Sequence, residues 1–170
     1  NTAGTLFGIV YPGFFLGTLL YLRFNLGDLF GMHQPHAAAV FILTIFVSVW
    51  ICDTLAYFAG VNFGKHRLFE RVSPKKSIEG AVAGVIGAML TFLAVGWLNL
   101  IDTGYAFLVI SGLIVGIIGQ FGDLVESWLK RDAQVKDSSK ILPGHGGFLD
   151  RFDSLSYVSP AFLILFLLWK

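Results

Sequence analysis

The residues of this chain that could do chemistry are carboxylates placed inside or beside long apolar runs. Asp53 lies well within one such run, and Asp123 and Glu126 lie near the end of another. Because a charged group is costly in hydrocarbon, such residues usually face a polar cavity or a functional site. Asp150 and Asp153 follow in a polar segment ahead of the last apolar run. Hydrogen bonding to a neighbouring helix is the alternative for Asp53, and complementing a helix dipole is the alternative for the last pair.

A polar stripe is predicted on the helix that contains Asp123. Residues spaced three or four apart share one helical face, and here they are Gln120, Asp123, Glu126, Ser127 and Lys130. The alternative is a snorkelling helix end, in which Glu126 simply pairs with Lys130. That alternative suits Asp123 poorly, because this residue lies further into the apolar run.

Two pairs of carboxylates beside cationic side chains indicate phosphate chemistry. Mg²⁺ is typically held by one or two carboxylates together with substrate phosphates, and Lys and Arg bind phosphate oxygens. The segment Pro143-Gly144-His145-Gly146-Gly147 predicts a tight turn that presents backbone N–H groups to an anion. Together, at a membrane surface, these features favour phosphate chemistry on a lipid.

A second basic segment begins at Ser73-Pro74-Lys75-Lys76. Ser73 fits a helix N-cap with Pro74 at the first helical position. We therefore predict that Lys75 and Lys76 lie on the first helical turn at the membrane face. Membrane topology and attraction to anionic lipids are the alternative roles for these two lysines.

The elements that must position these residues are membrane helices. Of the 170 residues, 55% are hydrophobic and 14% are charged, which excludes an ordinary soluble domain. Five apolar runs read as spans, at residues 2–22, 37–63, 80–101, 105–127 and 155–169. The last run is short, so it is either truncated or begins inside the preceding polar segment. The predicted fold is an all-α polytopic integral membrane protein with about five transmembrane helices.

Basic residues indicate the sidedness of the spans. Of the twelve Lys and Arg residues, five lie in residues 64–79 and five in residues 128–154. Alternation of five spans places both segments on one side, which the positive-inside rule makes cytoplasmic. Small residues four apart predict close helix packing at Gly80 and Gly84, Ala83 and Gly87, and Gly112 and Gly116.

The stretch from Ser127 to Asp153 resembles the signature of the phosphatidate cytidylyltransferases, or CDP-diacylglycerol synthases. The matching residues are Ser127, Lys130-Arg131, Lys136-Asp137, His145-Gly146-Gly147, Asp150-Arg151 and Asp153. The segments Asp53-Thr54…Tyr57-Phe58 and Ser73-Pro74-Lys75-Lys76-Ser77…Glu79-Gly80 also resemble family sequences. Bacterial members of this family are longer, with further membrane helices ahead of this region. Residues 1–170 are thus expected to form a single transmembrane catalytic domain, the C-terminal part of a longer enzyme.

The resemblance implies that CTP and phosphatidate give CDP-diacylglycerol and pyrophosphate, with Mg²⁺ in a site for two metal ions. The implied catalytic residues are Asp123, Asp150, Lys130, Arg131 and Lys136. The implied metal ligands are Asp123 and Asp150, supported by Glu126 and Asp153. The expected substrate-binding residues are Asp53, Tyr57, Ser73, Lys75, Lys76, Ser127, Asp137, His145, Gly146, Gly147 and Arg151.

The expected location is a bacterial-type inner membrane, with the site facing the cytoplasm. The expected partners are CTP, phosphatidate and membrane lipid, with a homodimer implied by the family and no nucleic acid. Three alternatives stay open at this point: a CTP-dependent enzyme for a polyprenol or an ether lipid, an ion-coupled transporter that uses Asp53, Asp123 and Glu126, and an inactive structural subunit.

Overall fold

The computed structural model describes residues 13–15, 17–27, 36–135, 147 and 149–169. Residues 13–15 and 17–27 are helical, and we call the second stretch α1. The remaining elements are α2 (Ala37–Phe63), β1 (Arg67–Phe69), β2 (Ser73–Ser77), α3 (Ile78–Trp97), α4 (Tyr105–Ile114), a π-helix (Val115–Gly119), α5 (Gln120–Asp132) and α6 (Leu149–Leu168).

Three helical segments of the described chain are long and apolar enough to cross a membrane. They are Ala37–Phe63, Ile78–Trp97 and Tyr105–Asp132, the last formed by α4, the π-helix and α5 together. A shorter apolar stretch, Phe152–Leu168, lies within α6. These helices confirm the all-α polytopic membrane fold. Helix α6 begins at Leu149, so the last predicted span does start inside the polar segment that precedes it. The first predicted span, residues 2–22, lies mostly outside the described residues.

Glycines allow α3 to approach its neighbours on two sides. A Cβ atom at Gly84 would lie 2.9 Å from the carbonyl oxygen of Cys52 in α2. On the other side, a Cβ atom at Gly112 would lie 2.4 Å from the Cα atom of Met89 in α3. Backbone this close leaves no room for a side chain, which is how small residues pack membrane helices. The predicted role of these glycines is confirmed.

A cluster of phenylalanines joins α2, α3, α4 and α6. The ring of Phe41 lies 5.2 Å from Phe162, 5.6 Å from Phe166, 5.8 Å from Phe92 and 5.9 Å from Phe107 between centroids. All five rings are buried, and aromatic pairs at such distances add to the energy of burial. Asp53 lies twelve residues after Phe41 in α2, about 18 Å further along the helix axis. The phenylalanine cluster and the polar residues around Asp53 therefore lie at different depths of the bundle.

The predicted N-cap at Ser73 is wrong, because residues Ser73–Ser77 form strand β2. This strand pairs antiparallel with β1, Arg67 lying opposite Ser77 and Phe69 opposite Ser73. Ser77 is the N-cap of α3 instead, and its hydroxyl accepts a hydrogen bond from the Gly80 N–H at 3.1 Å. Both serines suit a cap by residue type. Ser73 does not cap the helix because Ser73–Ser77 pair with β1 as a strand, and the helix begins only after this strand ends.

A π-helix precedes α5 and sets the rotation of its polar face. The wider turn of a π-helix shifts every later residue around the helix relative to a continuous α-helix. The side-chain amide of Gln120 donates to the Gly116 carbonyl at 2.7 Å and to the Ala81 carbonyl of α3 at 3.0 Å. These bonds anchor the start of α5 against α3, three residues before Asp123.

Candidate active site

Two cavities meet at Asp53 and Asp123, since both carboxylates line both cavities. We name them the hairpin cavity, of about 570 Å³, and the acidic cavity, of about 660 Å³. Both volumes fall in the range of roughly 300–1,000 Å³ that is usual for small-molecule sites. The predicted polar face of α5 is therefore turned toward these cavities.

The hairpin cavity lies between α2, α5 and the β1–β2 hairpin and is rich in cations. Its charged lining residues are Arg67, Lys75, Lys76, Asp53 and Asp123. The ring of Tyr57 in α2, 68% exposed, lies on the same wall. Lys75 and Lys76 thus face a common space with Asp53, although strand β2 and not a helical turn presents them.

The acidic cavity is lined by α2, α5 and the start of α6. Its charged lining residues are Asp53, Asp123, Glu126, Lys130, Asp150 and Asp153. Its apolar wall comes from Phe46, Val49 and Trp50 of α2 and from Phe152 and Leu155 of α6. Acidic side chains therefore outnumber cationic ones in this cavity, five to one.

Three of these carboxylates come together. One oxygen from each of Asp123, Glu126 and Asp153 lies within 4.8 Å of the others. Close packing of α5 on α6 permits this, because a Cβ atom at Gly122 would lie 2.9 Å from the Asp153 carbonyl oxygen. Glu126 is only 2% exposed, and its Oε1 atom has no hydrogen-bond partner among the described residues. An unsatisfied buried carboxylate oxygen is costly, so this cluster is suited to a cation.

Lys130 connects two carboxylates of the acidic cavity. Its Nζ atom lies 2.9 Å from Glu126 Oε2 and 2.7 Å from Asp150 Oδ1. The second oxygen of Asp150 accepts from the Gly147 N–H at 2.6 Å. The pairing of Glu126 with Lys130 that a snorkelling helix end would show is present. However, Glu126 is buried, and Lys130 also contacts Asp150 at the start of α6. The pair therefore lines a cavity between helices and is not a solvated helix end.

Asp123 is held from two directions. The ammonium group of Lys76 forms an ion pair with Asp123 Oδ2, and the Ser127 hydroxyl donates to Asp123 Oδ1 at 3.3 Å. The first contact brings the hairpin to the centre of the site, and the second lies one turn along α5. Asp123 therefore stands where the cationic and acidic cavities join.

A contact that the sequence did not predict holds the hairpin to α3. Both carboxylate oxygens of Glu79 accept from the backbone N–H of His66, at 3.2 and 3.3 Å. The His66 ring nitrogen Nδ1 lies 2.7 Å from Glu79 Oε1, and the His66 carbonyl accepts from the Ile78 N–H at 2.9 Å. An acidic residue two positions after Ser77, the residue that caps α3, was the only sequence signal for this contact.

Most of the predicted site residues are brought together. Those that line a cavity are Asp53, Tyr57, Lys75, Lys76, Asp123, Glu126, Lys130, Asp150 and Asp153. Ser127 and Gly147 join them through Asp123 and Asp150. Arg67, for which no role was predicted, and Gln120, predicted only to lie on the polar stripe of α5, also line the hairpin cavity.

Other predicted residues are not brought to the cavities or fall outside the described residues. Ser73 lies in β2, and Arg131 is exposed near the end of α5; neither lines either cavity. Lys136, Asp137, His145, Gly146 and the side chain of Arg151 lie outside the described residues. Their predicted roles stay predictions.

The fold and the site define a class: a polytopic membrane protein whose helices enclose carboxylates beside cationic groups suited to phosphate. Within that class, the model of the cytidylyltransferase family matches residues 1–169, and the chain belongs to this family. The resemblance drawn from the signature residues is confirmed.

Curated relatives agree with the family. The chain is 40% identical over 161 residues to the phosphatidate cytidylyltransferase of Staphylococcus aureus (strain COL), covering 94% of this chain and 60% of the relative. It is 42% identical over 124 residues to the phosphatidate cytidylyltransferase of Bacillus subtilis (strain 168), covering 73% of this chain and 46% of the relative. The chain thus spans about half to three fifths of the length of these relatives.

Proposed function

We propose that this chain carries the catalytic site for transfer of a cytidylyl group from CTP to phosphatidate, giving CDP-diacylglycerol and pyrophosphate. The observation that carries the proposal is the position of Asp123, at the junction of a cation-lined and a carboxylate-lined cavity, in a chain of the cytidylyltransferase family. Curated relatives named phosphatidate cytidylyltransferase support the choice of lipid.

The residues of the acidic cavity fit Mg²⁺. Asp123, Glu126 and Asp153 supply hard oxygen ligands close to one another, and the buried Glu126 Oε1 atom has no partner among the described residues. We assign these three residues to one ion. Bound Mg²⁺ would neutralise phosphate charge and stabilise the charge that develops on the leaving pyrophosphate. Asp150 is held by Lys130 and by the Gly147 N–H, and its part in a second metal site stays a prediction.

The reaction makes modest demands on the protein. The nucleophile is an oxygen of the phosphatidate monoester, which is already ionised at neutral pH and needs no strong general base. It bonds to the α-phosphorus of CTP as the bond from that phosphorus to the oxygen of pyrophosphate breaks. The difficulty is the approach of two anions, so cationic side chains must hold the phosphates in line. Lys76 and Lys130 flank Asp123 and the acidic trio and are placed to do so.

The distribution of basic residues supports an orientation. Both the hairpin and the start of α6 belong to the two basic segments, and the positive-inside rule places such segments in the cytoplasm. In this orientation CTP reaches the site from the cytoplasm, and the acyl chains of the lipid stay in the bilayer of an inner membrane. A homodimer remains a prediction from the family resemblance.

The test is pyrophosphate release from CTP by the full-length protein in detergent with Mg²⁺, with and without phosphatidate. We expect release that depends on phosphatidate and is lost in Asp123→Asn. A polyprenol and an ether-lipid phosphate form the comparison panel, and CDP is measured beside pyrophosphate because a kinase acting on the polyprenol would release CDP. Release that is equal without lipid, or faster with another lipid of the panel, would overturn the proposal.

A further inference from the structure

We infer that the β1–β2 hairpin carries a contact surface for the bilayer, which binds anionic lipid head groups at the cytoplasmic face of the membrane. Its residues are Lys65, Phe69 and Arg71, and none of the three lines either cavity. The other three basic residues of the hairpin line the hairpin cavity. This inference goes beyond the proposed function, because the partner is the surrounding bilayer and not a reacting molecule.

The hairpin is held at the boundary of the membrane. It connects α2 and α3, and both helices are long and apolar enough to cross a membrane. Arg67 and Leu68 of β1 line the hairpin cavity together with Tyr57 of α2. Tyr57 lies six residues before the end of α2 at Phe63, or about 9 Å along the helix axis. The hairpin therefore folds back beside the last turns of α2 and does not extend away from the membrane.

Phe69 is an exposed apolar side chain at the tip of the hairpin. The Val72 N–H donates to the Phe69 carbonyl at 3.2 Å, which closes the turn, and the Val72 side chain is buried. The Phe69 ring is nevertheless 58% exposed. Phe63 at the end of α2 and Ile78 at the start of α3 are exposed as well. Apolar side chains interspersed with basic ones are typical of segments that lie among lipid head groups.

The charge of the hairpin selects an anionic surface. Residues 64–77 contain five Lys and Arg residues against one acidic residue, Glu70. Lys65 and Arg71 are exposed, and neither forms an ion pair with another of the described residues. Basic clusters directly beside a membrane helix are attracted to anionic lipids of the cytoplasmic leaflet. The exposed Phe69 ring beside two helix ends favours the bilayer over a soluble acidic protein as the partner.

The contact bears on the active site because the same hairpin brings Lys76 to Asp123. Lipid bound at Lys65 and Arg71 favours the conformation in which the hairpin lies against the helices, and that conformation contains the ion pair. We therefore expect anionic bilayer lipids to accelerate the proposed reaction without entering either cavity. This consequence rests on the proposed function, whereas the lipid contact itself does not.

Hydrogen exchange measured by mass spectrometry tests the contact without catalysis. The full-length protein is placed in nanodiscs of phosphatidylcholine, with or without about one third phosphatidylglycerol, in the absence of CTP and phosphatidate. With phosphatidylglycerol, we expect amide exchange in residues 68–73 to slow at least about threefold. High salt should remove the effect, because it screens the attraction between exposed charges.

Two single variants form a matched pair for this measurement. Arg71→Gln should lose much of the slowing by phosphatidylglycerol, and the double variant with Lys65→Gln should lose most of it. Arg23→Gln should keep it, since Arg23 is exposed on α1 and lies outside the hairpin. Equal exchange in the two lipid compositions, or a slowing that the double variant keeps, would overturn the inference. A slowing that depends on Phe69 alone, equal in both lipids, would also overturn it by showing an apolar contact without charge selection.

Pyrophosphate release from CTP measures the consequence for the site, at a fixed mole fraction of phosphatidate. Replacing part of the phosphatidylcholine by phosphatidylglycerol should raise wild-type release at least about twofold. The double variant Lys65→Gln with Arg71→Gln should keep the basal rate and show no rise, and an equal rise would contradict the coupling. Absence of phosphatidate-dependent release in every lipid would count against the proposed function, while the exchange measurement would still decide the lipid contact.

Discussion

Lys76 of strand β2 forms an ion pair with Asp123 of helix α5, across 47 residues of sequence. The two side chains are 28% and 30% exposed, so the pair lies in a space that solvent and ligands can reach. This contact joins a hairpin outside the helical bundle to the carboxylate cluster inside it. The site therefore depends on both structures, and changes to either should alter its activity.

Removing the charge of Lys76 should impair turnover. In Lys76→Met, Asp123 loses its cation and the hairpin cavity loses one phosphate-binding group, so we expect kcat/KM for CTP to fall at least about tenfold, or about 1.4 kcal/mol. The measurement is pyrophosphate release at varied CTP concentration. Lys76→Arg should recover part of the activity, and wild-type activity in Lys76→Met would contradict the role assigned to this pair.

Breaking the Lys130 contacts should destabilise the protein. Lys130→Met leaves the buried Glu126 without its partner, and loss of one member of a buried pair costs about 3–5 kcal/mol. We expect a lower Tm in detergent and no activity. The double variant Lys130→Met with Glu126→Gln removes the buried charge as well, so it should recover much of the Tm while staying inactive. A double variant no more stable than Lys130→Met would show that the pair is not what stabilises this region.

Mg²⁺ should stabilise the wild-type protein, because a ligand that binds only the folded state raises its stability. At a concentration about 100-fold above Kd, the gain is about 2.7 kcal/mol. Glu126→Gln removes one of the three clustered carboxylates and should abolish most of the increase in Tm. Asp132→Asn, an exposed residue on the same helix, is the matched control and should keep it. Equal Mg²⁺-dependent increases in both variants would exclude Glu126 as a ligand.

A methyl group at Gly112 should disrupt helix packing. Its Cβ atom would lie 2.4 Å from the Met89 Cα atom, and backbone cannot move aside as a flexible side chain can, so we expect a loss of about 1–3 kcal/mol in Gly112→Ala. Gly17→Ala is the control, since nothing lies within 4 Å of a Cβ atom there. Thermal unfolding in detergent compares the two, and equal Tm values would contradict the packing described for α3 and α4.

Glu79 should position the hairpin rather than touch the substrates. Glu79→Ala removes the acceptor of the two backbone bonds from His66 as well as the ring contact, whereas His66→Ala leaves the backbone bonds in place. We therefore expect a larger rise in the KM for CTP, and faster proteolysis within the hairpin, in Glu79→Ala than in His66→Ala. Equal effects of the two substitutions would mean that the ring contact alone holds the hairpin.

Local spacing predicted the parts of this protein that depend on one helix at a time. The apolar runs, the polar face of α5 from Gln120 to Lys130 and the small-residue pairs follow from composition and helical periodicity, which neighbouring residues determine. The signature between Ser127 and Asp153 likewise identified the family from residue types and spacing. None of these depends on how the helices are rotated against one another.

Contacts between elements decided the rest. Ser77 rather than Ser73 caps α3 because β1 pairs with Ser73–Ser77. Asp153 comes close to Asp123 and Glu126 because Gly122 lets α6 approach α5, and Lys130 contacts Asp150 in the same cavity. The sequence alone thus determined which side chains could carry the chemistry and on which helices they lie. Only the tertiary structure decided which of them meet, because the rotation of each helix depends on close backbone contacts and on a π-turn that spacing along the chain does not encode.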